Sequence, residues 1–413
     1  MKIKIFFATA LLFFAFSSCD SNSDYQLVNV ASPKVMTLDE LRSSVEILLP
    51  SPIVESGKIY AYKNLVLVND IDKGIHVINN SNPENPKKLA FIKVIANKDM
   101  EVKGDYLYVD SLMDLLVFDI SDLLDIKEVS RLKDVFPKYI PVPFMEDLLI
   151  DYSQYNSDPN KIVVGWDIKQ ERKSIEEIEA LNIRFMNDLA LAETNSAVGQ
   201  GGSLARFKIV KDYLYAVDSH NINIFNLDNL ENPNQSGSVY AGFDIETIFN
   251  RGDHLFLGSM SGMFTYDIQS PATPQFVSEF QHGTACDPVV VDENYAYITL
   301  RAGNSCGALD SSLQIVDITD IKAPKLKKSY AMDNPYGLGI KEHLLFICDG
   351  SSGLKVYDKK DIDDLKLLNH FQNINTYDVI PLEERLLMIG DDIMYQYKYM
   401  DDGLTLLSQF SLN

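Results

Sequence analysis

Residues 294–325 read NYAYITLRAGNSCGALDSSLQIVDITDIKAPK: a Tyr-rich strand, a loop, a Val/Ile strand ending at Asp317, and a turn closed by Pro324. The second strand recurs along the chain. GIHVIN ends at Asn79, LLVFD at Asp119, IVVGWD at Asp167, INIFN at Asn226, MFTYD at Asp267, LKVYD at Asp358 and MYQYK at Lys398. With Asp317, the intervals are 40, 48, 59, 41, 50, 41 and 40 residues, the spacing of stacked or radially arranged units. A second apolar run precedes each anchor, for example NLVLVND (64–70), DYLYAVDS (212–219) and HLLFICD (343–349).

These runs are rich in Val, Ile, Tyr and Phe and are bounded by Gly, Asn, Asp and Pro, which is strand chemistry. A third strand precedes most pairs (DMEVKG, RFKIVKD, GLGIKEH) and a fourth follows the Pro-containing turn (PQFVSEF, PKLKKSY). Four short strands per period of about 40 residues predict an all-β chain folded as a β-propeller. One open sheet of some thirty strands would accumulate too much twist. Eight anchors predict about eight four-stranded blades; seven is the alternative if the third repeat, which carries an insertion in place of its fourth strand, is an excursion. The blades are expected near 58–94, 98–134, 204–241, 243–280, 285–331, 335–371 and 375–412, with the third between 134 and 203.

SSLQIVDITDIKAP, DLLVFDISD and GLKVYD resemble the LVIVD repeat of predicted β-propellers in bacterial surface proteins. The resemblance runs from about Lys58 to the end. It implies a propeller fold and says little about function, because such repeats are known chiefly as structural units. The third copy, with its insertion, and the eighth, MYQYKY without Asp, depart from the pattern.

The chain begins with Lys2 and Lys4, an apolar run from Ile5 to Phe16, and Ser17-Ser18-Cys19. That order describes a secretory signal, too short to cross a bilayer as a mature helix. The small pair before Cys19 resembles a bacterial lipoprotein processing site, with Phe16 where Leu is usual. Residues 1–18 are thus expected to be removed, Cys19 to become the lipidated first residue, and 19–57 to form a tether and N-terminal extension ahead of the propeller, 58–413. The expected location is the cell envelope, at the outer membrane. Formal net charge is −22, and loss of Lys2 and Lys4 makes it −24. Such a body repels nucleic acid and anionic lipid, so the expected membrane contact is the anchor alone.

Within the extension, Thr37 and Glu40 fit a capping box, predicting one helical turn before a strand at Val45 to Leu49. That strand is a candidate addition to the last blade, and Pro50 and Pro52 enforce an extended crossing. The insertion at 169–203 carries a second capping box, Ser174 with Glu177, and apolar residues at helical spacing: Ile175, Ile178, Leu181, Phe185, Met186 and Leu189. The helix is expected to cover the third blade where a strand is missing, or to act as a docking arm over one mouth. Trp166, the sole tryptophan, is read as a packing residue of that blade.

Cys286 and Cys306 lie in loops expected at one end of blade six and are predicted to form a disulfide, which an exported protein permits. Cys348, in LLFICDG, reads as a buried apolar residue. Asp recurs after the second strand of most blades: Asp70, Asp110, Asp151, Asp218, Asp349 and Asp391. Such a ring suggests cations, but Asp at a strand end also caps the following turn through backbone bonds, and that reading is preferred, with no metal or cofactor expected. Arg251-Gly252-Asp253 is read as a hairpin turn.

Enzyme signatures are missing: there is no His-Glu-x-x-His, and GSMSG (258–262) has Met260 where a nucleophile elbow needs Ser. His282 and Asp287 form a candidate acid/base pair without a nucleophile. Two classes remain. The first is a non-enzymatic binding or scaffold protein for an envelope protein, peptide or glycan, its surface built from loops after each blade's second strand, with Tyr152, Tyr155, Arg301, Asn304, His282 and Asp287 as candidates. The second is a propeller hydrolase or lyase whose discontinuous site, one residue per blade, leaves no linear motif.

Overall fold

The structure is a computed structural model that describes residues 25–138, 148–153, 160–181, 205–282, 288–302, 310–401 and 403–413. Among the described residues eight sheets form, one per anchor. Six are four-stranded antiparallel meanders, blade one has a fifth strand, and the sheet of the third repeat has three.

The repeat motif has a local physical cause. In blade six the Asp317 carboxylate accepts the Thr319 N–H at 2.9 Å, and three residues on Asp320 accepts the Lys322 N–H at 3.1 Å. Two such side-chain turns reverse the chain in a few residues and aim the fourth strand back along the third. The pairs Asp119/Asp122, Asn226/Asn229, Asn79/Asn82 and Asp358/Asp361 repeat the device. A register shift between the third and fourth strands follows at one place in seven sheets, such as Ile315/Val316 and Val356/Tyr357. A bulge of this kind sharpens the local twist that blades need to stack radially.

Seven apolar cores each join two successive blades, and their membership gives the ring order one, two, four, five, six, seven, eight. Blade two packs directly on blade four: Tyr108, Leu115 and Val117 share a core with Phe207, Leu214 and Phe225, and the Tyr108 hydroxyl donates to the Leu230 carbonyl at 2.7 Å. The turns after the inner strands are joined likewise, Lys63 to Asp105 at 2.6 Å, Lys103 to Asp212 at 2.7 Å and Lys211 to Asp253 at 2.7 Å. Asp253 thus sits in a hairpin turn that pairs Arg251 with His254, as its sequence predicts.

The third repeat stands outside this ring. Its strands Leu148–Ile150 and Lys161–Ser174 do not pair with each other; the N-terminal strand Tyr25–Thr37 runs between them, parallel to the first and antiparallel to the second. Asp167 caps no turn here. Lys169 occupies it at 2.5 Å, no Ser-Asp pair follows, and the strand continues to Ser174, six residues into the stretch expected to be helical insertion. Ring closure is therefore made by seven blades, the alternative the missing fourth strand left open, with the eighth sheet as a cap.

The cap rests on blade two. Leu41, Ile162 and Val164 pack on Ala96, Leu112 and Met113, with Trp166 half-buried beside them. The expected helical turn forms at Leu38–Ser43 with its Thr37/Glu40 capping box. Its Arg42 clamps the buried Asp114 through two bonds of 2.8 and 2.9 Å and reaches Asp134 at 3.0 Å. A second helix begins at 175 on the Ser174/Glu177 box and packs Ile178 and Leu181 against Val28, Val30 and Leu149. Phe185, Met186 and Leu189 lie outside the described residues.

The strand expected at 45–49 forms at Glu46–Leu48, but it pairs with the outer strand of blade one, Lys87–Lys93, and not with the last blade. The helix anchored on blade two delivers the chain to that neighbouring open edge first. Blades eight and one close on each other through a shared core and reciprocal Asn80–Gln396 amide bonds of 3.0 and 2.8 Å.

Gly353 opens the third strand of blade seven at φ +89°, and a Cβ there would lie 1.9 Å from the Phe371 carbonyl oxygen. Gly353→Ala is expected to destabilise by about 2–4 kcal/mol, combining a left-handed backbone with a backbone clash. Equilibrium denaturation checks this, and an unchanged midpoint would refute the close approach.

Candidate binding mouth

In an antiparallel blade, the connection after the second strand and the one leading to the next blade emerge on the same face. This face is the mouth, and the cap covers its sector at blade two. The recurring Asp residues hold the two sets of connections together. Asp70 accepts the N–H groups of Val54 and Glu55 at 3.0 and 3.1 Å, Asp110 those of Lys98 and Asp99 at 2.8 and 2.9 Å, and Asp349 those of Asp333 and Asn334 at 3.2 and 2.7 Å. Asp218 caps its own turn by accepting from His220 and Asn221, both at 2.7 Å. These acids act as stitches, and among the described residues no group of three or more His, Cys, Asp or Glu could hold a metal ion.

A second set of acids was not singled out from sequence. The innermost strand of each blade has one edge without a strand partner, whose N–H groups need acceptors. Asp99, ahead of the blade-two inner strand, accepts from Arg206 and, at 2.8 Å, from Phe207 of blade four. Asp378 of blade eight accepts from Val379 at 2.7 Å and from Ile59 of blade one, and Glu101 accepts from Ile209. Lys58 lies among them. It pairs with Asp99, lies 3.8 Å from Glu101 and donates to the Met100 carbonyl at 2.9 Å, while Lys208 approaches Glu101 at 3.7 Å.

Burial dominates the chemistry of this cluster. It pushes the Asp378 carboxyl up to about 7 and raises that of Glu101, with Lys58 pulling both the other way. Burial alone would lower the Lys58 ammonium, but Asp99 and Glu101 outweigh it and hold the group above its ordinary range. The sequence signal was a charge at alternate positions of short apolar strands, as in KIYAY, MEVK and DVIP.

The predicted site residues divide. Arg301 is half-buried on the mouth, its guanidinium 4.0 Å from the Tyr336 ring centroid, and Tyr336 meets Tyr377 edge-on at 5.4 Å. Blades six, seven and eight thus contribute one residue each to a cationic and aromatic chain. Tyr152 lies on the cap, edge-on to Trp166 at 5.8 Å, and His282 stands 6.3 Å from Phe280. Tyr155, Asp287, Asn304 and the cysteines Cys19, Cys286 and Cys306 lie outside the described residues. Cys348 is fully buried as a free thiol.

Sequence reasoning missed the connection from blade four to blade five. There Phe243 is 64% exposed and Tyr240 57% exposed, 6.0 Å apart edge-on, with His220 edge-on to Phe243 at 5.6 Å. The local text, YAGFD, carries no motif; only the fold sets it beside His220.

The LVIVD repeat profile matches residues 96–134 and 282–332. No curated protein matches the chain in sequence. Among solved structures, the computationally designed Ika8 protein superposes with a TM-score of 0.52 at 10% identity, covering 88% of this chain and 89% of that one. Sqt1 of Saccharomyces cerevisiae gives 0.52 at 9% identity over 91% and 88%, and Hsv2 of Kluyvelomyces marxianus 0.50 at 8% over 88% and 100%. At such identities the likeness concerns the fold alone. Core order, turn chemistry and repeat profile agree that this chain is a β-propeller carrying LVIVD repeats.

Proposed function

We propose that the chain is a non-enzymatic binding or scaffold protein, held in the cell envelope by a lipid on Cys19, that engages a protein, peptide or glycan at the uncapped sector of its mouth. The observation that carries this is the exposed Phe243–Tyr240 pair, on the same face as the Arg301–Tyr336–Tyr377 chain. Rigid aromatic side chains and Arg are the residue types that anchor recognition, because they cover area at small cost in conformational entropy. Blade frames fix the loops that carry them, so little order has to be gained on binding.

The alternative, a hydrolase or lyase, draws support from the buried acids Asp99, Glu101 and Asp378. Each already accepts backbone N–H groups and faces a lysine, which suits a structural duty better than proton transfer. A photo-crosslinker at position 243 is expected to capture an envelope partner, and one at position 326, on the outer strand of blade six, is not. Equal capture at both positions, or capture at neither, would remove support for the mouth. Retention of the crosslink at 243 in an Arg301→Ala variant would confine the site to the blade four and five side.

A further inference from the structure

Beyond the ring, Tyr25–Val28 and Glu171–Ser174 form a two-stranded ribbon. Tyr25 is level with Ser174, Leu27 with Arg172 and Ala31 with Ile168, so alternation puts Tyr25, Leu27, Ile168 and Arg172 on one face. Arg172 lies over the Tyr25 ring at 5.1 Å, which agrees with that assignment. The opposite face is occupied, Val28 packing toward Ile178 and Leu181. On this face Leu27 is 67% exposed, Tyr25 48% and Ile168 37%, and only Ala31, at its inner end, is fully covered.

Charge on this face runs against the rest of the molecule. Along Tyr25–Ala31 and Ile168–Ser174 the charge on this face is Arg172, while Lys169, Glu171 and Lys173 alternate to the other face, where Lys169 pairs with Asp167 and Lys173 with Glu171, in a chain of net charge −22. Position adds a third observation. Only residues 20–24 separate Tyr25 from Cys19, and the six residue steps between them reach about 20 Å when extended.

We propose that this ribbon face is a membrane-contact surface that seats the cap on anionic lipid headgroups. The inference rests on the reading of Cys19 as a lipid anchor for its geometry, and it adds a contact that the acidity of the whole chain conceals. Tyr, Leu and Ile enter the headgroup boundary while Arg172 meets lipid phosphate, the division of labour of interfacial segments. The lipid alone holds a short tether loosely; a docked ribbon fixes the propeller's orientation and leaves the mouth turned to a defined side.

The test uses residues 19–413 carrying Cys19→Ser, which keeps every described residue and removes the lipid. Sedimentation with phosphatidylglycerol-containing vesicles is expected to recover this protein, and phosphatidylcholine vesicles are expected to leave it in solution. Leu27→Asp/Arg172→Glu should weaken the partition about ten-fold or more, since it removes a basic contact and an inserted apolar side chain and places two acids against an anionic surface. Both positions are exposed, and an unchanged thermal midpoint verifies the fold. A Lys325→Glu/Lys328→Glu control on the outer strand of blade six should bind as the parent does. Equal recovery on neutral vesicles, or a partition unmoved by the ribbon variant, overturns the proposal. Mass analysis of the amino-terminal peptide from exported wild type tests the anchor separately: an unmodified Cys19 would sink the anchor while leaving the vesicle result readable.

Discussion

Lys58→Met is expected to destabilise the propeller by about 3–5 kcal/mol at neutral pH, because it strips the counter-charge from a cluster of buried carboxylates. The Lys58 side chain is 8% exposed and pairs with Asp99, whose side chain is 1% exposed, and with Glu101 at 3.8 Å. Asp378 adds a third acid within its field. Methionine keeps an unbranched stem one atom shorter and removes the ammonium, so the loss reports charge more than packing.

The dependence on pH has a definite sign. An aspartate ordinarily titrates near 3.8, and burial pushes Asp378 up to about 7 in the folded chain, so across that window the fold holds a proton that the unfolded chain has released. Its contribution is therefore fully present below about pH 4 and is lost as pH rises through about 7. At about 1.4 kcal/mol per unit, the contribution over roughly three units is on the order of 4 kcal/mol. Lys58 is among the charges that pull Asp378 down, so Lys58→Met should hurt more at pH 8 than at pH 5. Adding Asp378→Asn should recover most of the difference. Urea midpoints from pH 5 to pH 8 decide this; equal losses at both ends would refute the coupling.

Arg42→Ala is expected to cost about 2–4 kcal/mol, and the loss should fall on the cap and not on the ring. Asp114 is fully buried and takes two bonds from Arg42, one from Arg131 at 3.3 Å and the Asp134 N–H at 3.0 Å. Removing the bidentate partner leaves that carboxylate half-neutralised in a site of low dielectric. The sign is opposite to that of Asp378. Burial opposes the Asp114 carboxylate, but Arg42 and the Asp134 N–H more than compensate and hold it below its ordinary range. Its stabilisation is therefore present above about pH 4 and disappears in acid. Hydrogen exchange should show faster opening of 25–37 and 161–174 with the inner strands of blades four to eight unchanged. Uniform acceleration over the whole chain would mean that cap and ring unfold as one unit.

Turn chemistry is local: Asp317 and Asp320 capture N–H groups two residues away, so the repeat, its four strands and the propeller class follow from spacing alone. The capping box at Thr37 and Glu40 is local for the same reason and formed as expected. Hydrophobic alternation likewise announced the cores, because burial of one strand face has period two.

Ring membership depended on pairings between segments distant in the chain. Tyr25–Thr37 carries no signal for joining residues 148–174, and Asp167 matches the other anchors in sequence. What differs is the text after it, Ile-Lys-Gln in place of a second turn, so the strand runs on and the N-terminal segment takes the place of a missing partner. The Lys58, Glu101, Lys208 and Asp378 cluster is drawn from four blades spread over more than three hundred residues, and Phe243 meets His220 only because the fourth strand of blade four returns along its third, Tyr240 level with Asn221. Sequence by itself determined the unit, since its hydrogen bonds close within a few residues. Tertiary structure decided how many units share the ring and which side chains face one another, since those contacts join residues the chain keeps far apart.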